Sequence, residues 1–124
     1  MTETVRNFHD LRVWQKAMDL VAEVYRVAKK LPGVERFVLT QQLLRAVLSV
    51  PANIAEGQGR RSTADFLRHL VIARGSLAEV ETLLLVAQRL SYLTEQDMDV
   101  VATNTMDVRM LLSGLISRLQ QKDR

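Results

Sequence analysis

The stretch Asn53-Ile54-Ala55-Glu56-Gly57-Gln58-Gly59-Arg60-Arg61-Ser62 decides the fold, because it ends one helical segment and begins the next. Gly57 and Gly59 mark a turn between the two segments. Ser62 belongs to the residue types that cap the first turn of a helix. A connection this short makes the flanking helices antiparallel neighbours.

Outward from that turn, hydrophobic periodicity predicts four long helices, over about residues 10–31, 35–58, 62–91 and 94–121. Pro51 lies inside the second helix, removes one backbone donor and is expected to kink the helix or divide it into two pieces. Short connections between the helices predict an all-α fold, an antiparallel up-down-up-down four-helix bundle. One domain spans residues 10–121, between a short N-terminal arm (1–9) and a frayed tail (122–124).

Apolar residues at steps of three and four define the expected core faces. In the first helix this face is Trp14, Ala17, Met18, Val21, Val24, Tyr25 and Ala28. In the third it is Phe66, Leu70, Ala73, Leu77, Val80, Leu84 and Ala87. In the fourth it is Met98, Val101, Thr105, Val108, Leu112, Leu115 and Leu119. The second and third helices carry more apolar surface than one bundle core needs, which predicts a homo-oligomer.

The bulk composition narrows the class of protein. With 124 residues, 48% of them hydrophobic and 25% charged, the chain fits one globular domain. It has no cysteine, which excludes disulfides, thiolate catalysis and cysteine-ligated zinc. The longest apolar run, Leu83 to Ala87, is too short to span a bilayer, and residues 1–7 lack the apolar stretch of a secretory signal. We expect a soluble cytoplasmic protein.

The net charge of +3 is concentrated beside the turn. Residues 57–74 contain Arg60, Arg61, Arg68 and Arg74 against the single acid Asp65, and the basic and acidic residues elsewhere cancel. A helix start has unpaired N–H groups, so arginines next to one make a candidate phosphate site. The alternative is a flexible turn whose arginines are merely solvated.

A polar stripe runs along the second helix, which is otherwise mostly apolar. Its members are Gln42, Arg45, Ser49, Asn53 and Glu56. The stripe is either a surface that faces RNA or a substrate, or a buried polar network that fixes the register of helices or subunits. A buried carboxylate needs a partner, so Glu56 is expected to pair with Arg45 or Arg74.

Two further carboxylates belong to the predicted interface residues. Glu79 and Glu81 lie two residues apart and therefore on different faces of the third helix. Arg74, Glu81 and Gln88 repeat every seven residues, which predicts a rim of salt bridges between helices or subunits.

Four segments resemble the four-helix-bundle proteins encoded in intervening sequences of bacterial 23S ribosomal RNA genes. They are Phe8–Ala17 (FHDLRVWQKA), Gln42–Ala46 (QLLRA), Ser49–Gly57 (SVPANIAEG) and Ala73–Glu79 (ARGSLAE). The resemblance implies a four-helix bundle that assembles into a homopentameric ring. It implies no enzymatic activity, and it makes RNA a proposed partner.

These observations predict a non-enzymatic oligomer that binds RNA, with Arg60 and Arg61 on phosphates and Arg68 and Arg74 in a second line. The alternative is a protein-interaction scaffold or accessory subunit without a nucleic-acid role. The chain has only two histidines, far apart, so we predict no catalytic residue, no metal site and no cofactor. We also predict no membrane and no small-molecule partner. An enzyme would need a deep pocket that gathers Glu56, Glu79 and His69.

Overall fold

A computed structural model describes residues 7–122 of the chain, and these residues form four α-helices and no strand. The helices are α1 (Arg12–Ala28), α2 (Leu39–Gln58), α3 (Thr63–Arg89) and α4 (Glu95–Lys122). Two short 3-10 helices, Phe8–Asp10 and Gly33–Glu35, precede α1 and α2. The predicted all-α class and the number of long helices are confirmed.

The boundaries differ from the prediction mainly at both ends of α1 and at the start of α2, which begins at Leu39 rather than near residue 35. Residues 8–10 form a separate 3-10 turn, and α1 ends at Ala28 rather than near residue 31. α4 extends to Lys122, the residue at which the predicted frayed tail (122–124) begins. The rest of that tail, residues 123–124, and residues 1–6 of the arm lie outside the described residues.

Side-chain caps fix the starts of α3 and α4. The Asp65 backbone N–H donates to Ser62 Oγ at 3.1 Å. At α4 the bonding is reciprocal: the Asp97 N–H donates to Thr94 Oγ1 at 3.1 Å, and the Thr94 N–H donates to Asp97 Oδ2 at 2.8 Å. Two backbone donors at the start of α4 are thereby satisfied.

Of the two outcomes expected at Pro51, a kink or a division of the second helix, the division does not occur. α2 is a single helix from Leu39 to Gln58 and runs through this proline. Val47, Val50 and Ile54 on the neighbouring turns are fully buried. Tertiary packing of this face holds the helix together in spite of the missing backbone donor.

The four helices surround one core. α1 packs against α2 and α4, α3 packs against the same two helices, and the described helices make no diagonal contact. The largest fully buried side chains come from every helix: Leu20, Val24, Leu43, Val47, Val50, Ile54, Leu70, Leu77, Val80, Leu84, Val108 and Leu112. No helix in residues 7–122 has a stretch long and apolar enough to cross a membrane.

The predicted core face is right for α3 and partly wrong for α1. Six of the seven predicted α3 residues are buried, and the seventh, Phe66, is half-buried against the core. In α1, Met18 and Tyr25 are 44% and 40% exposed, whereas Leu20 is fully buried. Because α1 has apolar residues on two adjacent stripes, apolarity alone does not identify the stripe that faces α2 and α4.

Candidate nucleic-acid interface

The arginine-bearing turn between α2 and α3 is held in place by a close helix contact. A Cβ atom added to Gly57 would lie 2.7 Å from His69 Cβ and 3.0 Å from Phe66 Cδ1. Real side chains do not approach so closely, so only glycine fits here. This contact fixes the end of α2 against the first turns of α3 and thereby positions the four residues between them, Gly59 to Ser62.

The four predicted phosphate-binding arginines differ in their partners. Arg60 forms an ion pair with Glu56 at 2.6 Å, and Arg68 lies 3.8 Å from Asp65. Arg61 and Arg74 have no ion pair or hydrogen bond with any residue in the described range 7–122. Two of the four predicted phosphate-binding arginines are therefore paired with carboxylates of the same chain.

The ion pair of Glu56 differs from the one expected. Its partner is Arg60, one helical turn further along the chain, rather than Arg45 or Arg74. Because Glu56 and Arg60 are four residues apart, their ion pair forms within α2 and the turn that follows it, and no long side chain has to reach across a helix interface.

The four arginines do not form one cluster. Arg60 and Arg61 lie in the turn, before α3 begins. Arg68 and Arg74 are six residues apart on α3, which separates them by about 120° around the helix axis. Arg61 is the arginine best placed to bind a phosphate, because it is exposed, unpaired and next to the N-terminus of α3.

A hydrogen-bonded polar seam joins the side chains of α2 to those of α3. We define this seam as Ser49 and Asn53 of α2 with His69 and Ser76 of α3. Ser49 Oγ lies 2.9 Å from Ser76 Oγ, and Asn53 Nδ2 donates to Ser49 Oγ and to the Ser49 carbonyl, each at 2.9 Å. His69 Nδ1 lies 3.1 Å from Asn53 Oδ1.

The polar seam determines which nitrogen of His69 carries the proton in its neutral form. Asn53 uses its amide nitrogen as a donor, so its Oδ1 accepts the proton of His69 Nδ1. His69 Nε2 is then an acceptor, and the Arg68 guanidinium lies 3.5 Å from it. His69 is 7% exposed, and its hydrogen bonds satisfy a polar ring that would otherwise be costly to bury.

Gln42 and Arg45 of the polar stripe line a small surface cavity that borders the seam. This cavity has a volume of about 270 Å³ and is bounded by Gln42, Arg45, Ala46, Ser49, Ser76 and Glu79. Arg45 and Glu79 make no ion pair with another described residue. Glu81 points elsewhere, to an ion pair with Arg109 of α4. Glu79 thus lies on the side of α3 that faces α2, and Glu81 lies on the side that faces α4.

The described residues offer no arrangement for metal binding. In the range 7–122, no group of three or more histidine, aspartate or glutamate side chains is placed to hold a metal ion. His69 bonds to Asn53, and Asp65 lies against Arg68.

His69 and Ser76 are the polar residues that sequence reasoning missed in this region. From the sequence, His69 is named only as a residue that an enzyme pocket would need. The signal was their spacing: seven residues place both side chains on one face of α3, as the polar stripe is placed on α2. That α2 and α3 bring these two faces together is a property of the fold.

Comparison with known proteins found a family and solved structures that this chain resembles. The family model of the 23S rRNA-intervening sequence proteins matches residues 9–114. A crystal structure of a protein of unknown function from the S23 ribosomal protein family of Bacteroides thetaiotaomicron has a TM-score of 0.77 and 28% sequence identity. The match covers 84% of this chain and 97% of that one. Comparison with curated proteins found no match.

Proposed function

This chain belongs to the 23S rRNA-intervening sequence protein family, and we propose that it is a non-enzymatic, oligomeric RNA-binding protein of the bacterial cytoplasm. The observation that carries the proposal is Arg61, an exposed arginine with no partner in the described chain, beside the N-terminus of α3. An unneutralised guanidinium next to free backbone N–H groups matches the chemistry of a phosphate.

The arginines have graded roles in this proposal. Arg61 contacts phosphate directly, and Arg60 does so when a phosphate competes with Glu56 for its guanidinium. Arg68 and Arg74 add charge from further along α3. One such site is weak, but its repetition in an oligomer raises the overall affinity through avidity.

The proposed assembly is a homopentamer of antiparallel up-down-up-down bundles, the architecture that the family resemblance implies. Two ion pairs support the antiparallel order: Lys16 with Asp107, and Lys30 with Asp97. Residue numbers thus rise along α1 as they fall along α4. Exposed apolar residues on α3, among them Leu85 at 57%, support self-association.

Replacing both turn arginines tests the RNA-binding proposal. We expect Arg60→Ala with Arg61→Ala to weaken binding of a single-stranded RNA. The negative slope of log K against log salt should become shallower by about 0.7 for each phosphate that a site no longer neutralises. Fluorescence anisotropy over a salt series measures both quantities.

The matched variant is Glu56→Gln, which removes the partner of Arg60 and leaves both arginines in place. It should bind the same RNA more tightly than the unmodified protein. A salt slope unchanged in the double arginine variant would remove the turn from the proposed site.

A protein-interaction scaffold is the second candidate, and a groove between α3 and α4 favours it. The groove has a volume of about 400 Å³ and is lined in part by Leu85, Met98, Ala102 and Met106. A purification from cells with and without nuclease separates the candidates. Partners that stay bound after nuclease treatment favour the scaffold, and partners that are released by it favour RNA.

A further inference from the structure

Charge is distributed unevenly along the length of the described molecule. One end is identified by two contacts: Tyr92 donates a hydrogen bond to Glu35 at 3.0 Å, and Lys30 pairs with Asp97 in the first turn of α4. These contacts join the α1–α2 connection to the α3–α4 connection and the start of α4. The opposite end therefore holds the start of α1, the α2–α3 turn and the end of α4.

We call the part of the molecule at that opposite end the turn half, and define it as residues 7–15, 47–76 and 112–122. Its charged residues are Arg12, Arg60, Arg61, Arg68, Arg74, Arg118 and Lys122 against Asp10, Glu56 and Asp65. The other described residues include eight basic and nine acidic side chains. The turn half carries a formal charge of +4 and the remainder −1.

Helix dipoles do not create this asymmetry, because the turn half contains the N-termini of α1 and α3, where the dipole is positive, and also the C-termini of α2 and α4, where it is negative. Arg12 is the first residue of α1, and no acidic residue occupies the first turn of that helix. A cation at this position opposes the dipole, so helix stability does not explain Arg12. It instead strengthens the positive potential of the turn half.

Three of the basic residues in the turn half belong to helices other than α2 and α3. Arg12, Arg118 and Lys122 are all exposed, and none forms an ion pair with a residue in the described part of the chain. Lys122 is also favoured by its place at the C-terminus of α4, where a cation complements the dipole. Arg118 lies one turn before it. All three side chains are free to contact an anion.

We infer that RNA binds across the turn half as a whole, with Arg12, Arg118 and Lys122 contacting its phosphate backbone alongside Arg61. This inference rests on the proposed function and extends the site from one turn to three segments of the chain. A polyanion with evenly spaced phosphates fits such a surface, because its charges can reach several separate arginines at once.

The test compares two variants that each remove three positive charges. The first is Arg12→Gln, Arg118→Gln and Lys122→Gln in the turn half. The second is Arg26→Gln, Lys29→Gln and Arg89→Gln in the other half, where all three residues are exposed and lack ion pairs within the described residues. Both triple variants have the same net charge, so only the position of the removed charges differs. Binding of a labelled single-stranded RNA is measured by anisotropy at several salt concentrations.

We expect the negative salt slope of the turn-half variant to become shallower by about 2, about 0.7 for each of the three phosphates concerned, and its affinity to fall about tenfold or more. The slope of the other variant should stay at the wild-type value. Equal effects in the two variants, with RNA bound by the wild type, would overturn this inference and leave the proposed function standing. A wild type that binds no RNA would overturn both. Circular dichroism and light scattering establish that each variant keeps its fold and its mass.

Discussion

At the scale of single residues, the α2–α3 contact depends on the absence of one side chain at Gly57. Alanine favours a helix by about 1 kcal/mol over glycine, so an exposed helical glycine is usually improved by this change. At Gly57 the added methyl group would instead meet the Cβ atom of His69 and the ring of Phe66. Neither neighbour can yield without displacing α3.

We therefore predict that Gly57→Ala destabilises the protein by about 1–3 kcal/mol, the usual cost of overpacking. Chemical denaturation followed by circular dichroism measures the free energy of unfolding. Gly59→Ala is the matched control, because its Cβ would find nothing nearer than 3.7 Å and its φ is −78°. Equal or higher stability of Gly57→Ala would show that the two helices separate easily.

Individual contacts of the candidate site could be predicted only in part from the sequence. The spacing of Glu56 and Arg60 allows a pair one turn apart, yet the sequence offers Arg45 and Arg74 as competitors with equal chemistry. The choice depends on distances across the α2–α3 interface, which no periodicity specifies. The bond from His69 to Asn53 joins residues sixteen positions apart and likewise requires the packed helices.

At the scale of helices, the start of α4 depends on Asp97. This carboxylate accepts a hydrogen bond from the Thr94 backbone and forms an ion pair with Lys30 of the α1–α2 connection. The hydrogen bond from the Lys30 ammonium, and then that from the Thr94 N–H, hold the pKa of Asp97 below its ordinary value. One side chain thus caps α4 and ties it to the end of α1.

The lowered pKa of Asp97 gives the stability a pH dependence of known sign. As the pH falls, the Asp97 carboxylate is protonated at about pH 3.9 in the unfolded chain and only at a lower pH in the folded chain. The contribution of Asp97 is therefore complete above that pH and is lost as the pH falls through the folded pKa. We predict that Asp97→Asn lowers the unfolding free energy at neutral pH, and that its difference from the wild type shrinks below about pH 4.

Asp99→Asn is the control for the Asp97 variant. Asp99 lies on the same turn of α4, is exposed and makes no hydrogen bond or ion pair with the described residues. Its variant should follow the wild-type curve of unfolding free energy against pH. A constant difference between Asp97→Asn and the wild type, from pH 7 to pH 2, would contradict the role given to the carboxylate charge.

Helices were more predictable than the faces they bury. α3 is apolar on several sides, but one seam from Leu70 to Ala87 keeps an unbroken alternation of three- and four-residue steps, and that seam is the buried face. α1 has two apolar stripes, one containing Met18 and Tyr25 and the other Leu20 and Val24. The packing of α2 and α4 on either side selects the second stripe. The first is left exposed in the single chain.

At the scale of the whole molecule, that exposed apolar surface predicts self-association. Met18 on α1, Leu85 on α3 and Met106 on α4 are each at least 44% exposed in the single chain. We expect light scattering at micromolar concentration to give a mass several times 14.1 kDa, and five times that value for the proposed pentamer. A measured mass of one chain would contradict both the oligomer and the avidity on which RNA binding depends.

Trp14 has a practical consequence because it is the only tryptophan in the chain. Its ring meets those of Phe8 and His9, with centroids 5.1 Å away in each case. These two residues belong to the 3-10 turn that precedes α1, in the half of the molecule where we place RNA. The intrinsic fluorescence of the unlabelled protein is therefore an optical reporter of whether this segment stays docked on α1.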